Sequence, residues 1–406
     1  MSRNTILTDR QTDRQTDRQT DRQTDRQTDR QTDRQTILVM ANFKAACSGN
    51  FINSLLSLAE FGKDFYKFIF MFPLRDDGSE CSWTDYIRKH GYEVILYDEH
   101  ESKEKIKELL FKVIRDNRIK LIHNHFSCLN DICLWDKKLH SMVKILYHDH
   151  MDYVAEKPVK PQLKKQIRLA KRYREYGIGV ISVMKRKHRV YFLTPKRWYI
   201  PNGITFKRNI DRSLSREECR KVLNIKDDEK LCLFLGWDIY RKGLDIAIKA
   251  VQLARKQGHN IILGLAGFGE NISDEQIERI KSIIGFNPRQ DGVRFLDAWE
   301  DMFALHRAAD VFLSASRTEA FAYAILEAIS QNVPVVASNI SGTRWCLKYS
   351  KSFKFPSENI KKCANALIKA VELRDNPSNK DIIVSKYNID IWCERVLNVY
   401  KELLKV

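Results

Sequence analysis

Two glutamates eight positions apart carry the clearest chemical signal in this 406-residue sequence. Glu319 falls in a short polar loop after a predicted strand, and Glu327 falls in a helix predicted to begin near Phe321. Eight helical residues span about 12 Å, so the carboxylates suit two parts of one elongated ligand rather than an acid–base pair. The amides of Ala322 and Tyr323 at the helix start form a site for a phosphate. The pattern fits a nucleotide-sugar, although a cap-region acid and an exposed helix acid remain open on spacing alone.

Two cations precede another predicted helix. Arg241 and Lys242 follow a predicted strand that ends at Gly236, and the helix opens at Gly243. Positive charges at a helix start oppose the helix dipole unless an anion lies there. These two would neutralise a diphosphate and stabilise it as a leaving group, with a solvated basic turn as the alternative. We find no convincing DxD sequence for a divalent cation, so we expect the cations to replace a metal, with no cofactor besides the nucleotide-sugar co-substrate.

Histidines mark the ends of two further predicted strands. His148 and His150 end one strand, and His123 and His125 end another. Four histidines suggest a metal, but each pair is spaced i, i+2 on a strand, so each pair points to one face. A hydrogen-bonded histidine at a strand end is the plainer alternative.

The elements that must position these residues alternate along the chain. Short apolar runs separated by helical stretches predict parallel strands covered on both faces. The series breaks at the Pro201–Gly203 turn and then restarts, which predicts two doubly wound, Rossmann-like α/β domains that face a central cleft. The expected boundaries are 1–36 for a disordered repeat, 37–204 and 205–388 for the two domains, and 389–406 for a terminal helix packing back toward the first domain.

The order of these motifs resembles retaining glycosyltransferases of family 4, over about residues 37–406. The resemblance rests on the E-x7-E element from Glu319 to Glu327, "PNGI" at the domain junction, "RKGLDIAIKA", "LAGFGE" and "RAADVFLSAS". It implies the GT-B fold, with the donor bound mainly by the C-terminal domain. It also implies transfer of a hexose to a glycan or lipid-linked acceptor, as in bacterial surface polysaccharide or lipopolysaccharide synthesis, with the anomeric configuration retained.

The resemblance implies a role for each matching position. Glu319 would contact the donor hexose and Glu327 the ribose, while Arg241 and Lys242 would hold the diphosphate. His150 would lie beside the reacting sugar.

Other matching positions would surround the donor. Trp299 would contact the base through its backbone. Gly49 and Asn50 fall where the family has a glycine-rich loop near the phosphates. The remaining donor-side positions are Gly236, Phe321, Ala322 and Tyr323.

Three departures from the family pattern bear on the donor. The family often has Gly-Arg where this chain has Gly236-Trp237, and Arg241 is expected to supply the missing cation. Ala320 and Ala322 add methyl groups where glycines are commoner, which affects which donor fits. The loop at Gly49 lacks the usual double glycine.

The positive charge of the chain is concentrated in one window. The net charge is +18, and residues 157–197 hold 14 Lys or Arg against the single acid Glu175. Such a patch in the N-terminal domain indicates an anionic partner, and we expect reversible docking of a cytoplasmic protein on the inner face of the plasma membrane. A nucleic-acid-binding protein and a non-catalytic nucleotide-sugar-binding relative are the alternatives. The nine scattered cysteines indicate buried, reduced thiols.

The N-terminus holds seven perfect copies of Thr-Asp-Arg-Gln from Thr8, followed by Thr36. These copies contain no apolar residue, so we expect disorder and no role in the folded protein. The repeated tetranucleotide ACAG, read in triplets, encodes this tetrapeptide. Gain or loss of one unit would shift the reading frame, so the repeat predicts a slip-prone, phase-variable switch at the DNA level.

Overall fold

The computed structural model describes residues 34–45, 49–126, 129, 132–150, 160–185, 189, 191–206, 214–236, 238–269, 271–297, 299, 301–373 and 380–405. The strands form two parallel sheets, of seven and six strands. By contacts the chain divides into two compact units. Unit 1 contains the described residues up to 145, except 49–57, together with those from 400 onwards; unit 2 contains 49–57 and 146–399. The domain boundaries expected above stay predictions.

The strands are β1 Gln35–Ala41, β2 Tyr66–Pro73, β3 Glu93–Tyr97, β4 Ile119–His125, β5 Lys144–Asp149, β6 Gly179–Ser182, β7 Arg197–Tyr199, β8 Lys230–Leu235, β9 Ile261–Ala266, β10 Val293–Leu296, β11 Val311–Ser314, β12 Val335–Ser338 and β13 Ser352–Phe355. The α-helices are α1 Gly49–Gly62, α2 Trp83–Lys89, α3 Lys103–Asp116, α4 Lys137–Met142, α5 Lys160–Glu175, α6 Arg216–Val222, α7 Ile239–Lys242, α8 Leu244–Lys256, α9 Asp274–Ile284, α10 Met302–Ala308, α11 Tyr323–Ser330, α12 Ser341–Arg344, α13 Ile360–Val371, α14 Lys380–Tyr387 and α15 Ile389–Leu404.

Unit 1 contains parallel strands in the order β3-β2-β1-β4. The apolar runs of β1 and β2 are buried almost throughout, as expected for strands covered on both faces. On β4, the rings of His123 and His125 lie 4.1 Å apart between centroids, so this pair shares one face as predicted. The Nδ1 atom of His123 lies 2.6 Å from the hydroxyl of Tyr400 in the same unit.

The repeat contributes to the first strand, contrary to the prediction that it ends before the fold begins. Strand β1 starts at Gln35, and Thr36 is 6% exposed. Both residues continue the parallel register with β2, where Gln35 pairs with Tyr66. Arg34 donates a hydrogen bond to the carbonyl of Lys63. Neighbouring strands supply the burial that the polar sequence lacks; the earlier copies lie outside the described residues.

Unit 2 contains the six-stranded sheet in the order β10-β9-β8-β11-β12-β13, all parallel. Two apolar clusters cover its faces, one built around α10 and α11 and the other around α8 and α13. Ser215 and Ser273 start α6 and α9 with capping boxes, which satisfy amides at the helix starts. The order reverses between β8 and β11, the place where open sheets of this kind bind ligands.

The sequence predicted the long strands and helices but not the shortest strands. Strands β7 and β13 have three and four residues, and the sequence predicted neither of them. The seven described cysteines are all buried and reduced, which confirms that part of the prediction. Among the described residues, no helix combines the length and apolar character needed to cross a membrane.

Candidate functional site

The predicted cations and one glutamate meet at the switch point of the unit 2 sheet. Strand β8 ends at Leu235 and leads to the turn that carries Arg241 and Lys242. Its neighbour β11 ends at Ser314 and leads to the loop that carries Glu319. The carboxyl ends of adjacent parallel strands lie at one sheet edge, so the fold brings these charges together.

Lys242 and Glu319 form an ion pair between Nζ and Oε2. Arg241 Nη1 lies 3.9 Å from Glu319 Oε1, and Arg241 Nε lies 2.7 Å from Asp238 Oδ2. The two cations are half-buried, so the alternative of a freely solvated basic turn is wrong. Two cations, Arg241 and Lys242, and the carboxylate of Glu319 thus lie together at the carboxyl ends of β8 and β11.

Contrary to the prediction from the sequence, Arg241 and Lys242 do not stand at the start of a helix. Arg241 and Lys242 form the last turn of the four-residue helix α7, and α8 starts two residues later at Leu244. Cations at a helix C-terminus are favourable. Their positions therefore do not require an anionic ligand, and Glu319 already supplies a negative charge beside them.

Two glycines bring the backbone segments of this site together. Gly243 has φ +74°, and a Cβ there would lie 2.2 Å from the carbonyl oxygen of Ala315. A Cβ on Gly342 would lie 1.6 Å from the carbonyl oxygen of Glu319. Gly236 packs against the side chain of Lys242, with a hypothetical Cβ 2.6 Å from Lys242 Cγ. Trp237, which follows it, lies outside the described residues.

Glu327 lies on α11 and is 3% exposed, so the alternative of an exposed helix acid is wrong. Its Oε1 accepts a hydrogen bond of 2.7 Å from Asn50 Nδ2, contributed by the part of α1 that belongs to unit 2. Its Oε2 lies 3.6 Å from Nε2 of His306, a fully buried residue of α10. Gly49, also predicted near the donor, starts α1 with φ +53°. The two glutamates thus belong to two separate polar clusters: Glu319 pairs with Lys242, and Glu327 contacts Asn50 and His306.

Helix α11 begins at Tyr323, two residues later than predicted. Ala322 makes no side-chain cap, which leaves the first helical amides to solvent or a ligand. The amide of Tyr323 is already engaged, because it donates to the carbonyl of Phe321 at 3.0 Å. Only part of the predicted amide site is therefore available.

The phenol of Tyr323 joins the group around Glu327. Burial and the charge of Glu327 hold the pKa of Tyr323 above its ordinary value, against hydrogen bonds with Ser54 and Asn202. The donor-side aromatic Phe321 packs instead among Tyr323, Trp345 and Tyr387, with ring centroids 4.9, 5.1 and 6.0 Å away.

His150 follows β5 and is held by other rings of unit 2. Its ring stacks on that of His148 at 4.2 Å and meets Phe51 edge-on at 5.5 Å. Burial lowers its pKa to about 3, so the ring is neutral near pH 7. It can exchange hydrogen bonds with a neutral partner, but it does not supply positive charge. Trp299 is half-buried against the core of unit 2.

Sequence reasoning missed several residues of this site. His306 precedes a motif that was recognised, but a single histidine in a helix carries no periodic signal. Asn202 was interpreted only as part of a turn. Asn50 was predicted near the phosphates, but its hydrogen bond to Glu327, 277 positions away in sequence, was not predicted. Arg317, two residues before Glu319, also escaped notice.

Comparison with known families identifies the part of the chain that holds this site. Residues 215–388 match the model of the family described as "Glycosyl transferases group 1". The matched part of the chain contains the ion pair of Lys242 and Glu319 as well as Glu327.

Individual proteins give the same class. An uncharacterized glycosyltransferase of Methanocaldococcus jannaschii is 28% identical over 236 residues, which cover 55% of this chain and 59% of that protein. The lipopolysaccharide glucosyltransferase WaaG of Escherichia coli is 31% identical over 161 residues, which cover 39% of this chain and 41% of that protein. The chain thus spans about half the length of the curated relatives it matches.

A solved structure resembles nearly the whole chain. Anabaena HepE, crystallised in complex with UDP and glucose, aligns with a TM-score of 0.64 and 16% identity, and the alignment covers 91% of this chain and 100% of that one. This likeness confirms the predicted GT-B fold with two Rossmann-like domains. Family and fold together support a transferase.

Proposed function

We propose that this protein is a metal-independent glycosyltransferase that moves a hexose from a nucleotide-sugar to a glycan or lipid-linked acceptor, with retention of anomeric configuration. The observation that carries the proposal is the cluster of Arg241, Lys242 and Glu319 at the sheet switch point, with Glu327 buried eight residues further on. Charges of both signs at the ligand edge of a group 1 domain match the two ends of a nucleotide-sugar.

Each part of the donor finds a chemically suited group. The diphosphate takes Lys242 and Arg241, assisted by the amide of Ala322, since the amide of Tyr323 is already engaged. The hexose hydroxyls hydrogen-bond to Glu319, which exchanges its ion pair with Lys242 for these contacts. The ribose hydroxyls donate to Glu327, whose position Asn50 holds.

The proposed reaction needs no protein nucleophile. The bond between the anomeric carbon and the diphosphate oxygen breaks, and its electron pair leaves with the diphosphate. The acceptor oxygen bonds to the same face of the anomeric carbon, and its proton passes to the departing phosphate. Lys242 and Arg241 stabilise the charge that develops on the leaving group, a contribution of about 3–4 kcal/mol for a well-placed donor. His150 would lie beside the sugar, and because its ring is neutral it does not repel the positive charge that develops there.

Donor turnover tests this proposal directly. Purified protein is incubated with UDP-, GDP- and ADP-hexoses, and nucleoside diphosphate release is measured with and without bacterial glycan acceptors. Lys242→Ala should lower kcat by about 10²–10³-fold, the usual loss when transition-state charge stabilisation is removed. Lys249→Ala is a matched control. Lys249 lies on the neighbouring helix α8, and its ammonium lies over the ring of Phe286 rather than beside Glu319. Turnover by Lys242→Ala or Glu327→Ala within a few-fold of wild type would refute the mechanism.

The acceptor is proposed to be membrane-linked because of the surface of α5. This helix buries Ala170 and Tyr173 and exposes the basic residues Lys164, Lys165, Arg168, Lys171, Arg172 and Arg174. Near an anionic bilayer each such charge contributes about 1 kcal/mol. Phe192, 57% exposed in the same basic window, offers an apolar anchor. The similarity to WaaG, a lipopolysaccharide glucosyltransferase, supports a surface-glycan acceptor.

Vesicle flotation separates this surface from a merely basic one. The protein should float with phosphatidylglycerol vesicles at low salt and not with phosphatidylcholine vesicles. Phe192→Glu should reduce the floated fraction, whereas Phe61→Glu, at another exposed phenylalanine, should not. Failure of wild type to bind anionic vesicles removes the membrane part of the proposal.

The repeat is proposed to act on the gene rather than on the protein. Seven identical copies are expected if one tetranucleotide has expanded by slippage. Sequencing of the coding DNA tests this, because synonymous codon differences among the copies would indicate selection on the peptide instead.

A further inference from the structure

Arg317 forms hydrogen bonds with the backbone of α7, the short helix that carries Arg241 and Lys242. Its backbone amide donates to the carbonyl of Arg241 at 2.8 Å, and its Nη1 donates to the carbonyl of Tyr240 at 2.5 Å. The guanidinium also lies over the ring of Tyr240, 4.1 Å from its centroid. One residue therefore holds α7 by two consecutive carbonyls and one ring.

The same guanidinium is anchored to the next helix. Nη1 and Nη2 of Arg317 form a fork onto both carboxylate oxygens of Asp245, at 2.9 and 2.8 Å, in the first turn of α8. Burial opposes ionisation of Asp245, but the hydrogen bonds and charge of Arg317 outweigh it and lower the pKa of that carboxyl. Glu358 adds a contact of 2.7 Å to Nε from a more exposed position. The side chain of Arg317 is only 15% exposed and that of Asp245 is 20% exposed, so solvent screens this ion pair less than a surface pair.

The turn is thus held on two sides by residues two positions apart. Glu319 pairs with Lys242 through the side chain, and Arg317 holds the backbone of the same turn. A diphosphate that takes Lys242 away from Glu319 removes the first connection. The contacts of Arg317 do not involve the ammonium of Lys242, so they persist when the ligand binds.

We propose that Arg317 is a positioning residue that fixes Arg241 and Lys242 for the diphosphate without touching the donor. This inference rests on the proposed function, because it assumes a nucleoside diphosphate group at Lys242. A lysine at position 317 keeps the charge but loses the fork and the second carbonyl contact. Arg317→Lys should therefore misplace the two cations while the rest of unit 2 remains folded.

Calorimetric titration of the full-length protein with UDP, GDP and ADP, and with the matching monophosphates, tests the proposal. For the nucleotide that wild type binds, Arg317→Lys should weaken the diphosphate at least tenfold and the monophosphate less than threefold. A merely structural role would weaken both equally. Arg220→Lys is the control: Arg220 is 14% exposed and bonds to Asp310 and to backbone carbonyls at the opposite edge of the sheet. It should change neither affinity by more than threefold.

The triple variant Arg241→Ala/Lys242→Ala/Arg317→Lys decides whether Arg317 acts through the cations. Its diphosphate affinity should lie within threefold of Arg241→Ala/Lys242→Ala alone, because no cation is left for Arg317 to position. Multiplying losses, equal losses for both ligands, or unchanged binding in Arg317→Lys would overturn the inference. Wild type that binds no diphosphate would refute the proposed function itself, and the inference with it.

Discussion

The replacement Glu327→Gln tests the ribose site by the loss of one charge at constant shape. The carboxylate is buried, accepts from Asn50 at 2.7 Å and faces His306 at 3.6 Å. Glutamine can keep the bond from Asn50 through its carbonyl oxygen. The change therefore removes the negative charge without creating a cavity.

The expected loss follows from the bonds that the ribose would make. A hydrogen bond to a charged group contributes about 1 kcal/mol more than one between neutral groups. Two ribose hydroxyls donating to Glu327 give about 2 kcal/mol, or about a 30-fold weaker nucleoside diphosphate.

Calorimetry with the nucleoside diphosphate and its 2′,3′-dideoxy analogue measures this loss. Glu327→Gln should weaken the natural ligand about 30-fold and the dideoxy ligand by much less, because that ligand has no hydroxyls to lose. Glu229→Gln is a control, since Glu229 is also buried and pairs with Arg294 at 2.5 Å. Equal losses for both ligands, or a loss below threefold for the natural one, would refute the ribose assignment.

Three other properties can be measured independently. His150 has a pKa of about 3 in the fold, against about 6.5 unfolded, so its contribution to stability is complete above pH ~6.5 and falls by about 1.4 kcal/mol per pH unit as the pH drops toward 3. In urea unfolding, the free energy of unfolding of His150→Gln should therefore fall less steeply with decreasing pH than that of wild type. An equal slope for the two proteins contradicts this. Gly342→Ala places a methyl 1.6 Å from the Glu319 carbonyl, so calorimetry should show about 1–3 kcal/mol lower stability together with reduced donor turnover. At least seven of the nine thiols should resist a thiol reagent until denaturant is added, because burial raises the pKa of groups such as Cys133, to about 12.

The sequence predicted the long elements well because their apolar runs match the periodicity of buried strands and amphipathic helices. The terminal helix predicted at 389–406 runs from Ile389 to Leu404 in the structure. Strand β7 has only three residues, too few for an alternation to register. The start of β1 was missed because its burial comes from neighbouring strands rather than from apolar side chains of its own.

The candidate site was predicted in part. The spacing of the motifs predicted Arg241, Lys242 and Glu319, because each of these residues follows closely on the strand that positions it. It did not find the pairings of Glu327 with Asn50 or of Arg317 with Asp245, which join residues 277 and 72 positions apart. Such contacts depend on tertiary packing, and no local pattern encodes them. The corrected position of Arg241 and Lys242, at the end of one helix rather than the start of the next, depends on a single turn that propensity does not resolve.

The use of Arg34, Gln35 and Thr36 by the fold has a consequence for tolerance to length change. All copies are identical, so deletion or addition of whole copies always leaves the same last copy, followed by Thr36, before Ile37. The strand therefore starts with the same residues whatever the copy number, and it meets the same partners on β2. A change in the number of whole copies therefore leaves the fold unaltered, while any change that breaks the four-residue period near its end would alter strand β1.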